Sequence, residues 1–302
     1  MPSPDHTPHE LSGVLERLYR EYGTCGTVED PVDCVRVYPD PADREIAAFI
    51  AAGLAFGRVA SIKASVRAVL APMGASPAAF VRGFDPGLDC ARFSGFVHRW
   101  VRGRDITALL VILQHMLDTA GSLEQFFIEG DDPAAPDIRP GLEAFCTRAR
   151  AVDLRPVYGR REGRPGVHAF FPLPSGGSAC KRLNLFLRWM VRRDGIDLGL
   201  WTRVKPSRLI VPLDVHVIRV GRCLRLTRYT SPGWRMAASI TASLRQIEAT
   251  DPVKYDFALC HLGMEGLCGF RTPAADSHCP WRGACRPRAR KRPASRRPSG
   301  RR

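Results

Sequence analysis

Two charged residues stand at places where their types could do chemistry. Pro212-Leu213-Asp214-Val215-His216-Val217 follows the apolar run Leu209-Ile210-Val211, so Pro212 and Asp214 mark a helix start, with Asp214 at or near the N-cap. A carboxylate there can stabilise positive charge developing on a substrate or take part in moving a proton. Its plainer use is as a cap, worth about 1 kcal/mol. Lys181 likewise opens a helix predicted over Lys181–Arg193, with Ser178 as the expected N-cap. The positive end of the helix dipole and the neighbouring Arg182 both disfavour a second positive charge there, which suits a nucleophilic amine. A lysine that binds phosphate or faces water is the alternative.

Cysteine is the third chemically able residue type. Of ten cysteines, Cys260, Cys268, Cys279 and Cys285 crowd the C-terminal part with spacings C-x7-C, C-x10-C and C-x5-C. Cys268, Cys279 and Cys285, completed by His278 or Asp276, could ligate an iron–sulfur cluster or zinc. A cysteine-rich end that holds no metal is the other reading. Cys260 lies inside a predicted helix and fits such a site poorly.

The elements that must position these residues are helices. Leu11–Tyr22 reads as one, and Pro39-Asp40-Pro41-Ala42-Asp43 supplies a stop and a new N-cap. Ile46, Phe49, Ile50 and Leu54 recur at helical spacing among alanines, as do Ile62, Val66, Val69 and Leu70 after the break Phe56-Gly57-Arg58. A stronger period runs from Ile106 to Leu117, with Asp105 as its expected cap, and a short helix follows from Leu123 to Phe127. Residues 130–140 and 155–177 read as loops. Helices are further predicted at Asp214–Leu224, Gly233–Ala249 and Val253–Leu262. Alternating strand patterns are nearly absent, so the expected class is all-α, with 1–42 as an N-terminal helix and loop, 43–285 as the main helical body and 286–302 as a tail.

The net charge of +15 is unevenly spread. The segment Arg286–Arg302 carries nine Lys or Arg and no acid, which leaves +6 for the body. A basic segment with Pro and Ser is expected to be disordered and to attract polyanions without sequence preference. Arginine outnumbers lysine 40 to 5, so compositional drift is the competing explanation. No run of 18 apolar residues and no signal-peptide layout is present, so a soluble, cytoplasmic, nucleoid-associated monomer with reduced thiols is expected.

Pro212-Leu213-Asp214-Val215-His216-Val217, followed by Arg219-Val220, resembles the aspartate motif of the helix–hairpin–helix DNA glycosylase superfamily. Three features fall in the matching order: the helix pair Ile46–Leu70 with its break at Arg58, the Gly177-Ser178-Ala179-Cys180-Lys181 run, and the cysteine-rich end. The run Gly-Ser-Ala-Cys-Lys-Arg-Leu is similar to that of an uncharacterised bacterial family within the superfamily. The resemblance spans about Asp43 to Cys285. It implies a two-lobed helical protein with a cleft, acting on double-stranded DNA that carries a damaged base. Asp214 would assist cleavage of the N-glycosidic bond, and Lys181 would attack C1′ to give a Schiff base with AP-lyase activity. Arg58, Gly176, Gly177, Ser178 and Arg182 would contact DNA. The final C-x5-C matches the end of the superfamily's [4Fe-4S] pattern. Two departures stand out: Leu173-Pro174-Ser175-Gly176-Gly177-Ser178 replaces the usual Leu-Pro-Gly-Val-Gly hairpin, and Lys181 lies farther from Asp214 than in endonuclease III. The longer gap is similar to archaeal 8-oxoguanine glycosylases, which points to an oxidised purine. A non-catalytic DNA binder that keeps the fold is the alternative.

Overall fold

The computed structural model describes residues 8–22, 29–264 and 279. Helix α1 (Pro8–Tyr22) turns Leu11, Leu15, Leu18 and Tyr22 inward, the three-to-four-residue spacing of an amphipathic helix. After the single turn α2 (Asp33–Arg36), α3 (Pro41–Gly53) begins where Asp40 accepts a hydrogen bond from the Ala42 amide at 2.7 Å. Residues 45–53 of α3 are all buried, and their alanines and glycine let neighbours pack close. Helix α4 (Val59–Leu70) follows the predicted break and buries Ile62, Val66, Val69 and Leu70.

Two short helices, α5 (Pro77–Arg82) and α6 (Pro86–Asp89), lead to a hairpin of β1 (Val97–His98) and β2 (Val101–Arg102). The long α7 (Gly103–Ala120) then runs through the core. Asp105 is not its N-cap: it sits three residues in, where its carboxylate accepts from the Arg102 amide at 2.9 Å. Tyr158 donates to the other carboxylate oxygen at 2.9 Å, so Asp105 is fully engaged.

Helix α8 (Leu123–Ile128) is followed by α9 (Arg139–Arg150), which the sequence pattern did not announce, and by the single turns α10 (Arg155–Tyr158) and α11 (Pro165–His168). Helix α12 (Lys181–Val191) crosses α3. Its N-cap is Cys180, in the left-handed region at φ 49°, and not Ser178, whose hydroxyl accepts from the Cys180 amide instead. Helices α13 (Val215–Cys223), α14 (Trp234–Arg245) and α15 (Asp256–Met264) complete the order, and α15 packs on both α13 and α1. Fifteen α-helices and one two-stranded hairpin among the described residues make the class all-α. No helix among them is long and apolar enough to cross a membrane.

Two buried polar clusters hold this frame. Glu45 of α3 accepts from the amides of Leu123 and Glu124 (both 3.0 Å) and from the Trp201 indole (2.7 Å), so it satisfies donors at the start of α8. Burial outweighs those bonds and pushes the Glu45 carboxyl above its usual range. In the second cluster, Arg188 of α12 reaches Asp197 at 3.1 Å and Asp256 at 2.6 Å, while Arg192 pairs with Asp194, Asp197 and Asp251. Burial opposes the charged Arg188 guanidinium, but Asp197 and Asp256 overcome it and raise its pKa. This cluster ties the middle of α12 to the first turn of α15.

Candidate active site

The starts of α12 and α13 face each other. Lys181 Nζ lies 3.9 Å from Asp214 Oδ2, with the lysine side chain 38% exposed and the aspartate 12%. Solvent therefore reaches the pair from the lysine side. Asp214 is the N-cap of α13: its Oδ1 accepts from the amides of His216 (2.9 Å) and Val217 (2.8 Å). That leaves Oδ2 directed at Lys181.

A third side chain meets the same oxygen. The Cys260 thiol of α15 donates to Asp214 Oδ2 at 3.1 Å. Burial, and after it the Asp214 carboxylate, pushes this thiol well above its usual value, so it stays protonated and remains a donor. The contact requires α13 and α15 to approach closely, which Gly263 permits: a Cβ there would stand 2.6 Å from the Cβ of His216. Among the described residues, His216 Nδ1 is buried without a hydrogen-bond partner. Sequence reasoning missed the role of Cys260, because nothing in its spacing links it to a residue 46 positions earlier.

The loop that precedes α12 is fixed from several sides. Ser175 donates its amide and hydroxyl to Glu143, the Cys180 thiol donates to the Pro172 carbonyl at 3.3 Å, and Gly177 O accepts from the Trp234 amide at 3.2 Å. Gly176 and Gly177 are exposed, and Gly177 needs its missing side chain at φ 80°. Arg58 is exposed at the head of α4. Arg182 stands differently from a free phosphate ligand: its guanidinium donates to the carbonyls of Gly53 (2.8 Å) and Ala169 and lies over the Phe56 ring. Burial pushes the Arg182 pKa down to about 10. Its donors brace α3 against α12, so its first task is positional.

The aromatic side chains of Trp189, Trp201 and Phe257 belong to the core. Phe56 is half-buried and carries a polar neighbour, His98, edge-on at 4.6 Å. His98 bonds Ser65 Oγ at 2.8 Å and the Phe56 carbonyl at 3.1 Å, tying the hairpin to the α3–α4 break. Burial, joined by the charges of Arg99 and Arg182, holds His98 below the usual imidazole value of 6.5 against the bond to Phe56. As pH falls through 6.5 the unfolded chain takes up a proton before the folded one does, so this part of the stability is full above that value and is lost below it. Melting temperatures of wild type and His98→Gln between about pH 7.5 and about pH 5 should diverge, wild type losing more. Parallel curves would remove His98 as the cause.

Among the described residues no group of three or more His, Cys, Asp or Glu could hold a metal ion. Cys279 is described and buried, whereas Cys268 and Cys285 lie outside the described residues, as does the basic segment 286–302.

The fold and the site thus define an all-α protein with a lysine–carboxylate pair between two facing helix starts. Residues 30–265, well over half of the chain, match the family described as Protein of unknown function (DUF2400), and the chain belongs to that family. No curated protein and no solved structure matches it. This corrects the resemblance to the helix–hairpin–helix glycosylase superfamily, because the family that matches is DUF2400 and no glycosylase family does. The local structure gives a physical reason why the motif order misleads. The segment ahead of Lys181 holds only the four-residue α11 and a 3-10 turn at Pro174–Gly176, not a full helix leading into a hairpin. The run from Pro212 to Val217 is an aspartate-capped helix start, which many folds use.

Proposed function

We propose that this chain acts on double-stranded DNA and cleaves the N-glycosidic bond of a damaged base, an oxidised purine such as 8-oxoguanine being the first candidate. The observation that carries the reading is the 3.9 Å approach of Lys181, which is 38% exposed, to Asp214. In this reading the helices form two lobes, α3–α11 in one and α1 with α13–α15 in the other, with the DNA path across the head of α12. The target nucleotide must leave the stack to reach the pair, because a base inside a duplex is closed to attack. The exposed Gly176-Gly177 backbone, Ser178 and Arg58 would meet phosphates, and the +15 net charge supports binding a polyanion.

The chemistry balances with these two groups. The uncharged Lys181 nitrogen attacks C1′, the C1′–N bond to the base breaks, and the base leaves with its electron pair and takes a proton. Opening of the C1′–O4′ bond, with O4′ taking up the proton that the amine gave to Asp214, gives a protonated Schiff base; loss of a C2′ proton then expels the 3′-phosphate, and water releases the lysine. Asp214 stabilises the positive charge that builds on the sugar or receives a proton from the amine.

The test is borohydride trapping on duplexes bearing 8-oxoguanine or an abasic site, with wild type, Lys181→Ala and Asp214→Asn. A covalent adduct from wild type that Lys181→Ala does not form is the expected result. Base release without an adduct would leave the glycosylase and remove the amine nucleophile. A second reading, a DNA-binding protein that breaks no bond, draws on the capping and thiol bonds that already occupy both oxygens of Asp214. Tight binding with neither adduct nor base release would select it.

A further inference from the structure

We infer that Trp100, at the tip of the β1–β2 hairpin, is a stacking platform for an unstacked base in the DNA that this site would handle. The inference rests on the DNA reading above but not on its chemistry. Trp100 is 55% exposed, whereas Trp189, Trp201 and Trp234 are all buried. Its ring is stacked on Phe56 with centroids 4.4 Å apart and planes 12° from parallel. An exposed indole braced from behind is pre-organised to take a further flat ring at little entropic cost.

The hairpin maintains this display against its own backbone preference. His98 pairs with Val101, which leaves a two-residue turn of Arg99 and Trp100. Such turns favour glycine or asparagine, yet Arg99 adopts φ 55°. Strain of this kind persists only where the surroundings enforce it, and His98 supplies the anchor through Ser65 and the Phe56 carbonyl.

The setting favours a nucleic-acid strand as occupant. Arg58, Arg99 and Arg102 are exposed on the segments that carry Phe56 and Trp100. No acidic residue occurs between Glu45 and Asp85 or between Asp89 and Asp105. The platform also connects to the candidate site: the Arg182 guanidinium lies 5.0 Å from the Phe56 ring centroid, and Arg182 is the chain neighbour of Lys181. A flat aromatic face among arginines, one bond network away from the lysine, fits a base displaced from its stack together with its flanking phosphates.

The experiment measures binding of the full chain to two duplexes by fluorescence anisotropy, one fully paired and one with a single unpaired nucleotide, at several salt concentrations. Trp100→Ala should weaken binding to the unpaired-base duplex about tenfold, with a smaller loss on the paired one and an unchanged salt slope. Trp100→Phe should retain most of the affinity, because stacking survives a smaller ring. Unchanged affinity in Trp100→Ala, or an equal loss on both duplexes, overturns the platform. The effect of Trp100 with neither a Lys181 adduct nor base release would sink the catalytic reading and leave this inference standing. Failure of wild type to bind either duplex would end both.

Discussion

Replacing Arg188 by methionine is expected to cost about 3–5 kcal/mol of folding free energy. The side chain is 3% exposed and bridges Asp197 and Asp256, themselves 0% and 4% exposed. Methionine fills a similar volume, so the loss is electrostatic rather than a cavity effect. Asp197 would keep Arg192, but Asp256 would lose its ionic partner in surroundings where a lone carboxylate is poorly solvated. Adding Asp256→Asn to Arg188→Met should recover part of the loss, because the second change removes the stranded charge. Urea unfolding midpoints of the two single variants and the double variant measure the coupling. A cost below about 1 kcal/mol for Arg188→Met would show the cluster to be incidental. The consequence for the site is direct, since the network joins the helix that starts at Lys181 to the helix that carries Cys260.

The helices that bury a regular apolar stripe were legible because hydrophobic spacing and local caps agree there. Asp40 and Asp214 show it most clearly: each precedes a periodic run, and each caps the helix predicted from it. Caps failed where the chain used a less common solution. Asp105 serves from inside the first turn, and Cys180 occupies a left-handed position that no propensity assigns to cysteine. Helix α9 went unannounced because only Leu142, Phe145, Cys146 and Ala149 mark its buried face within a stretch otherwise of arginines and small residues. The hairpin was hidden for a related reason, since Arg99-Trp100 lacks the turn residues that normally signal one.

For the site, the sequence supplied the candidates but not their meeting. Lys181 and Asp214 are 33 positions apart, and only the tertiary approach of the two helix starts brings them to 3.9 Å. The resemblance implies that Arg182 contacts DNA; the carbonyls of Gly53 and Ala169 that claim it come from two distant segments. Cys260, grouped by spacing with the C-terminal cysteines, instead donates to the aspartate. Tertiary contact, which no local pattern encodes, decides all three.

Asp214→Asn is expected to leave the fold nearly intact while lowering adduct formation or base release by about 10²–10⁴-fold. Asparagine is as good an N-cap as aspartate, so its carbonyl oxygen can still accept from the amides of His216 and Val217. Stability should therefore change by no more than about 1 kcal/mol. With the carbonyl committed to the cap, the amide nitrogen must turn toward Cys260 Sγ and Lys181 Nζ. A donor then confronts the lysine where a carboxylate stood, and no negative charge remains to stabilise a cationic sugar or to receive a proton. Asp214→Ala removes the cap as well and should lose both activity and about 1 kcal/mol of stability. If the asparagine variant kept wild-type rates, the carboxylate would be a cap and nothing more, and the lysine would have to act without it. If it lost stability as fully as the alanine variant, the cap geometry would depend on the charge itself, held by Cys260 from one side and Lys181 from the other.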